Sequence, residues 1–138
     1  MKKIFLAFIL LISSFGLSSF ASGGPSYGDV EGYYETVSLA KVLDILNENK
    51  GTILDVRNND EVEKTGLIKG AKHIPLDNLE NRLNELDKDK TYITFCNTGN
   101  RSKKAAEILN KNGFKNIYNS QEGMSTWPYK DMIEPVKK

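Results

Sequence analysis

The tightest constraint on this chain is a change of rhythm around residue 96. Thr91-Tyr92-Ile93-Thr94-Phe95 reads as a strand, and Ser102-Lys103-Lys104-Ala105-Ala106-Glu107-Ile108-Leu109 as a helix. Only Cys96-Asn97-Thr98-Gly99-Asn100-Arg101 lies between them. A strand that feeds directly into a helix belongs to a parallel sheet, because parallel neighbours need a crossover connection. The join also carries the only cysteine of the 138-residue chain.

The same alternation runs through the rest of the sequence. Ser38 is placed to cap a helix whose apolar stripe is Leu39, Val42, Leu43 and Leu46, with Gly51 just beyond its end. Thr52-Ile53-Leu54-Asp55-Val56 reads as a short buried strand, and Lys72-His73-Ile74 as a shorter one stopped by Pro75. Asp77 and Glu80 have capping-box spacing ahead of Leu79, Leu83 and Leu86. The helix after Cys96 should run from about Ser102 to Asn112 and stop at Gly113. Asn116-Ile117-Tyr118-Asn119 supplies a last strand, and Met124 to Trp127 a final turn. The expected fold is α/β, a central parallel sheet flanked by helices on both faces. Ligands in such sheets bind beyond the carboxyl ends of the strands, where Cys96 stands.

The two ends read differently. Lys2 and Lys3, the apolar run Ile4 to Ile12 and the small-residue ending Ser19-Phe20-Ala21 form the pattern of a secretory signal peptide over residues 1–21. A retained membrane anchor is the alternative, but Ser13, Ser14, Gly16, Ser18 and Ser19 break an apolar run already short of the ~20 residues a spanning helix needs. Cleavage after Ala21 would leave an exported protein, periplasmic or secreted. Residues 22–33 then form a flexible lead-in, 34–129 one domain and 130–138 a charged tail. Of 19 basic side chains, two (Lys2 and Lys3) lie in the signal, leaving 17 against 18 acidic. That balance favours neither nucleic acid nor an anionic membrane surface as partner, and nothing requires more than a monomer. A lone cysteine excludes an intramolecular disulfide and leaves the thiol for chemistry or for pairing with another molecule.

A thiol between a strand end and a helix start faces unpaired backbone N–H groups, which favour a thiolate and any anion beside it. Gly99 allows the turn that points successive N–H groups inward. Helix starts ordinarily favour acids, yet here Arg101, Lys103 and Lys104 come first and Glu107 is the first acid. A free thiol with a pKa of about 8.5 is only about 3% thiolate at neutral pH, and lowering it by about two units takes ~2.7 kcal/mol. The amides and Arg101 are the expected source of that stabilisation.

Taken together, the motifs resemble a single-domain rhodanese, a sulfurtransferase. The resemblance covers about Val37 to Trp127 through Leu54-Asp55-Val56-Arg57, Gly66-Leu67-Ile68-Lys69-Gly70-Ala71-Lys72-His73-Ile74-Pro75-Leu76, Cys96-Asn97-Thr98-Gly99-Asn100-Arg101-Ser102, Leu109-Asn110-Lys111-Asn112-Gly113-Phe114 and Glu122-Gly123-Met124-Ser125-Thr126-Trp127. It implies that Cys96 carries sulfur as a persulfide, taken from a small anionic donor such as thiosulfate and passed to a thiol or cyanide. Asn97, Thr98, Gly99, Asn100, Arg101 and Ser102 would form the anion-binding loop, without metal or organic cofactor. Asp55 and Arg57 would support it, pairing with Glu61, or else form an ordinary strand-end ion pair. Leu67 and Glu122 depart from the family's frequent Gly-His-Ile and Gly-Gly patterns and bear on substrate preference.

Other readings compete. Cysteine-dependent phosphatases and arsenate reductases also close an N–H cradle with an arginine. The tyrosine-phosphatase loop has five residues between the two, and four separate Cys96 from Arg101. A Cys–His hydrolase would need His73, the only histidine, which has no evident orienting partner in the sequence. One Cys and one His make a poor zinc set. A non-enzymatic sulfur carrier or binding module on the same scaffold is the remaining alternative.

Overall fold

The computed structural model describes residues 33–137. The expected signal peptide and nearly all of the expected lead-in lie outside the described residues. Strand β1, Tyr34–Val37, leads through Ser38 into helix α1, Leu39–Asn47. Ser38 caps it as its sequence position demands, accepting the Lys41 N–H at 3.4 Å, and the helix buries Val42 and Ile45. Strand β2, Thr52–Asp55, is followed by helix α2, Asn59–Thr65. After the short strands β3, Leu67–Ile68, and β4, Lys72–His73, come helix α3, Leu76–Leu79, and a 3-10 segment, Glu80–Glu85. Strand β5, Thr91–Phe95, feeds helix α4, Asn100–Lys111, and β6, Asn116–Ser120, follows. A 3-10 turn at Met124–Thr126, another at Lys130–Met132 and strand β7, Ile133–Glu134, complete the unit.

The main sheet is parallel throughout, in the order β1-β6-β5-β2-β4. β5 is its central strand, with Ile93 opposite Ile53 on one side and Tyr118 on the other. Side chains alternate across the pleat and so divide the core in two. Tyr92 and Cys96 join Leu54, Leu79, Ala105, Ala106 and Leu109 on the face covered by α3 and α4. Ile93 and Phe95 join Ile53, Val42, Ile45 and Trp127 on the face covered by α1. Phe95 and Trp127 meet edge to face at 5.8 Å, a favoured aromatic geometry. Helices on both faces, with Cys96 just past the carboxyl end of the central strand, are the arrangement the sequence implies.

Three differences from the sequence reading stand out. The Asp77–Glu80 capping box does not form: α3 starts straight after Pro75, so Asp77 already lies inside its first turn. The capping box belongs to α2 instead, where the Glu61 carboxylate accepts the Asn58 N–H at 2.9 Å. β1 is a strand that the sequence pattern did not announce. The segment after Tyr129, expected as a charged tail, pairs β7 antiparallel with β3. Gly66 permits this contact, because at φ +81° a side chain there would be strained and would lie 2.5 Å from the Glu134 carbonyl oxygen.

Candidate active site

The loop from Cys96 to Gly99 gives its carbonyls to one side and its amides to the other. The Cys96 carbonyl accepts the Met124 N–H at 3.0 Å, and the Asn97 carbonyl accepts the Ser125 N–H at 3.2 Å and its hydroxyl at 2.9 Å. Gly123 makes this close approach possible; any Cβ there would collide with both carbonyl oxygens. With the carbonyls so occupied, the amides face the sulfur. Gly99, at φ +101°, turns the chain into α4 and donates its N–H to Cys96 Sγ at 3.0 Å. A Cβ on Gly99 would stand 2.6 Å from the Gln121 carbonyl oxygen. Glycine is therefore required there twice, by conformation and by space.

Cys96 is more enclosed than a turn position suggests, at 1% exposure, with Leu54, Val56, Ala105 and Ala106 in its cluster. Burial pushes the thiol pKa up. The Ser102 hydroxyl and the amides of Ser102, Gly99 and Thr98 pull it down, and the net position is below an ordinary thiol. Buried and ionisable are thus compatible here, because the enclosure has polar hydrogens on one side. Ser102 is itself fully buried, and its hydroxyl donates to the Gly99 carbonyl at 2.9 Å. A hydroxyl has one proton, so the sulfur and that carbonyl compete for it.

The Arg101 guanidinium is bound by Glu61. Its Nη1 and Nη2 donate to Glu61 Oε2 and Oε1 at 2.6 and 2.7 Å, a side-by-side pair about one third exposed. These bonds, against the effect of burial and with help from the Asn58 amide, hold the Glu61 carboxyl down at about 2. The expected pairing of Glu61 with Asp55 and Arg57 is accordingly replaced. Asp55 and Arg57, both essentially unexposed, bind each other: Nε reaches Oδ1 and Oδ2 at 3.0 Å and Nη2 reaches Oδ2 at 2.6 Å. The guanidinium also donates to Thr65 Oγ1 at 2.7 Å and to the Gly66 carbonyl at 2.8 Å, so it pins the end of α2.

The structure therefore gathers Cys96, Thr98, Gly99 and Ser102 around the sulfur. Asn97 contributes its carbonyl to the Gly123–Ser125 wall, and Asn100 opens α4 exposed. Asp55 and Arg57 brace the neighbouring loop from within. His73 Nε2 lies 2.7 Å from the Arg57 carbonyl, an acceptor that requires the proton on that nitrogen. Sequence reasoning missed Glu61 as the partner of Arg101, 40 positions away, and missed the wall role of Gly123 and Ser125. Among the described residues, no group of three or more His, Cys, Asp or Glu is placed to hold a metal, and no helix is long and apolar enough to cross a membrane.

Residues 38–129 match the family model described as the Rhodanese-like domain. This chain belongs to the rhodanese-like domain family. YrkF and YqhL of Bacillus subtilis are 44% identical over 75 residues and 42% over 78, or 54% and 56% of this chain. Those matches span only 40% and 61% of the two proteins' own lengths. Thiosulfate sulfurtransferase GlpE of Coxiella burnetii is 29% identical over 94 residues, 68% of this chain and 87% of that protein. Among solved structures, a rhodanese-like domain protein from Staphylococcus aureus is 32% identical with a TM-score of 0.67, covering 75% of this chain and 99% of that one. The fold of that rhodanese-like structure coincides with the α/β architecture described above.

Proposed function

We propose that this protein is a sulfurtransferase working through a persulfide on Cys96. The observation that carries the reading is the Gly99 N–H on Cys96 Sγ at 3.0 Å, within a set of amides that favours the ionised sulfur. The thiolate attacks the outer sulfur of a sulfane donor such as thiosulfate. The new Sγ–S bond forms as the donor's S–S bond breaks, and its electron pair leaves on sulfite. The anionic outer sulfur stays against the amides until an acceptor thiolate or cyanide takes it. Breaking that S–S bond returns the electron pair to Cys96, giving a two-step, ping-pong cycle.

Thiosulfate treatment should add one sulfur atom to the Cys96 peptide in mass spectra and release sulfite. Cys96→Ala should abolish both. Loading without turnover would instead identify a carrier module, and an active protein with an unmodified Cys96 would end the persulfide reading. A phosphatase reading is disfavoured because Arg101, the group that would grip a phosphoryl oxygen, is occupied by Glu61. We place the mature protein outside the cytosol on the strength of the residue 1–21 pattern. A mature N-terminus at Ser22 in the exported fraction is the expected finding; an intact N-terminus in the cytosol contradicts it.

A further inference from the structure

The cysteine loop ends in one guanidinium, that of Arg101, and its charge is matched. Arg101 sits at the second position of α4, and the thiolate of Cys96 is among the charges that act on it. Both carboxylate oxygens of Glu61 take its Nη groups. Glu61 is itself fixed: it stands in the first turn of α2 and accepts the Asn58 N–H at 2.9 Å, while its carbonyl takes the Thr65 hydroxyl at 2.9 Å. Thr65 is in turn gripped by Arg57, whose partner Asp55 ends the adjacent strand. The carboxylate is therefore held by the Asn58 N–H as well as by Arg101, on a backbone tied to Thr65. Lys103 and Lys104 remain exposed on α4, where salt screens them.

We propose that Glu61 is a specificity-determining residue: by neutralising Arg101 beside the cysteine loop it slows loading from doubly charged thiosulfate relative to loading from small persulfides, R–S–SH. The inference rests on the persulfide reading of Cys96. Thiosulfate brings two negative charges toward a negative sulfur with no free guanidinium to meet them, whereas a persulfide brings at most one and reacts in its protonated form, R–S–SH. Cys96 Sγ⁻ attacks that sulfur, the Sγ–S bond forms, and the donor's S–S bond breaks with its electron pair leaving on R–S⁻. The proton remains on the new Cys96–S–SH until it is lost to water.

The test is the rate of sulfur loading on Cys96, read by intact mass, from thiosulfate and from 2-hydroxyethyl persulfide. Glu61→Gln keeps an oxygen for the Asn58 N–H but frees the Arg101 charge. The thiosulfate-to-persulfide rate ratio should rise about tenfold in Glu61→Gln and fall about tenfold in Arg101→Gln, the scale of one charge near a partly solvated site. The Glu61→Gln/Arg101→Gln double variant should return to within about threefold of the native ratio, because its net charge is again that of the native pair. A ratio that stays constant across the four proteins, with both rates falling together, overturns the proposal and makes Glu61 a structural brace only. Failure of both donors to load native Cys96 overturns the sulfurtransferase reading itself, and with it this inference.

Discussion

The loops after β2 and β5 leave neighbouring strands of one sheet, and each holds an arginine against a carboxylate. Arg57 is 1% exposed and spends its donors on Asp55, Thr65 and the Gly66 carbonyl. Arg101 is about one third exposed and spends its bonds on the single carboxylate of Glu61. The first guanidinium is a strut: removing it strands a charge inside the protein. The second is an adjustable charge at the rim, and its removal leaves Glu61 in contact with water. One motif, an arginine just past a strand, thus does architectural work in one loop and electrostatic work in the other.

Arg57→Ala is the harshest way to break this contrast. It leaves buried Asp55 uncompensated and should cost about 3–5 kcal/mol in denaturant unfolding; a loss no larger than that of an exposed pair would show that the two arginines are equivalent. Gly123→Ala acts on the other loop by driving a methyl group into the Cys96 and Asn97 carbonyls. Overpacking of this kind costs about 1–3 kcal/mol, and slower alkylation of Cys96 should accompany it, since the amides turn with the carbonyls.

Ser102→Ala sharpens the comparison without disturbing either arginine. Losing the hydroxyl should cost ~1 kcal/mol and move the midpoint of the iodoacetamide pH profile upward, because Ser102 helps hold the thiol pKa down. An unmoved midpoint would mean that the amides alone stabilise the thiolate. The smallest effect belongs to Glu61. Its folded pKa of about 2 lies below the unfolded carboxyl value of about 4.3, so its contribution is full above the unfolded value and is lost as pH falls toward 2. Screening at this site, about one third exposed, limits the contribution to under about 1 kcal/mol. The stability gap between native and Glu61→Gln protein should therefore close between about pH 4.5 and pH 2.

Much of this architecture was written in local patterns. Ser38 before Leu39, the apolar runs of β2 and β5, and Gly113 after α4 each carry their own signal, and each element appears where that signal stands. β1 was hidden because only Val37 of its four residues is buried, so no alternation marks it. β3 and β7 have two residues each, too few for a period, and depend on each other's hydrogen bonds. The two capping-box spacings were equal in kind, and Pro75 decided against the Asp77 one by starting its helix early. The position of Cys96 was legible because strand, glycine turn and helix adjoin in sequence. The partner of Arg101 was not, since Glu61 reaches it only through the packing of a separate strand–helix unit.

The sulfur is served by main-chain groups of the loop, and this has an evolutionary corollary. Asn97 takes part through its carbonyl, and Thr98 and Gly99 through their amides, while the Thr98 and Asn100 side chains face solvent. Reactivity is thereby uncoupled from the identity of residues 97, 98 and 100. Lineages or laboratory libraries could vary those three positions to recognise new sulfur sources while inheriting the nucleophile intact.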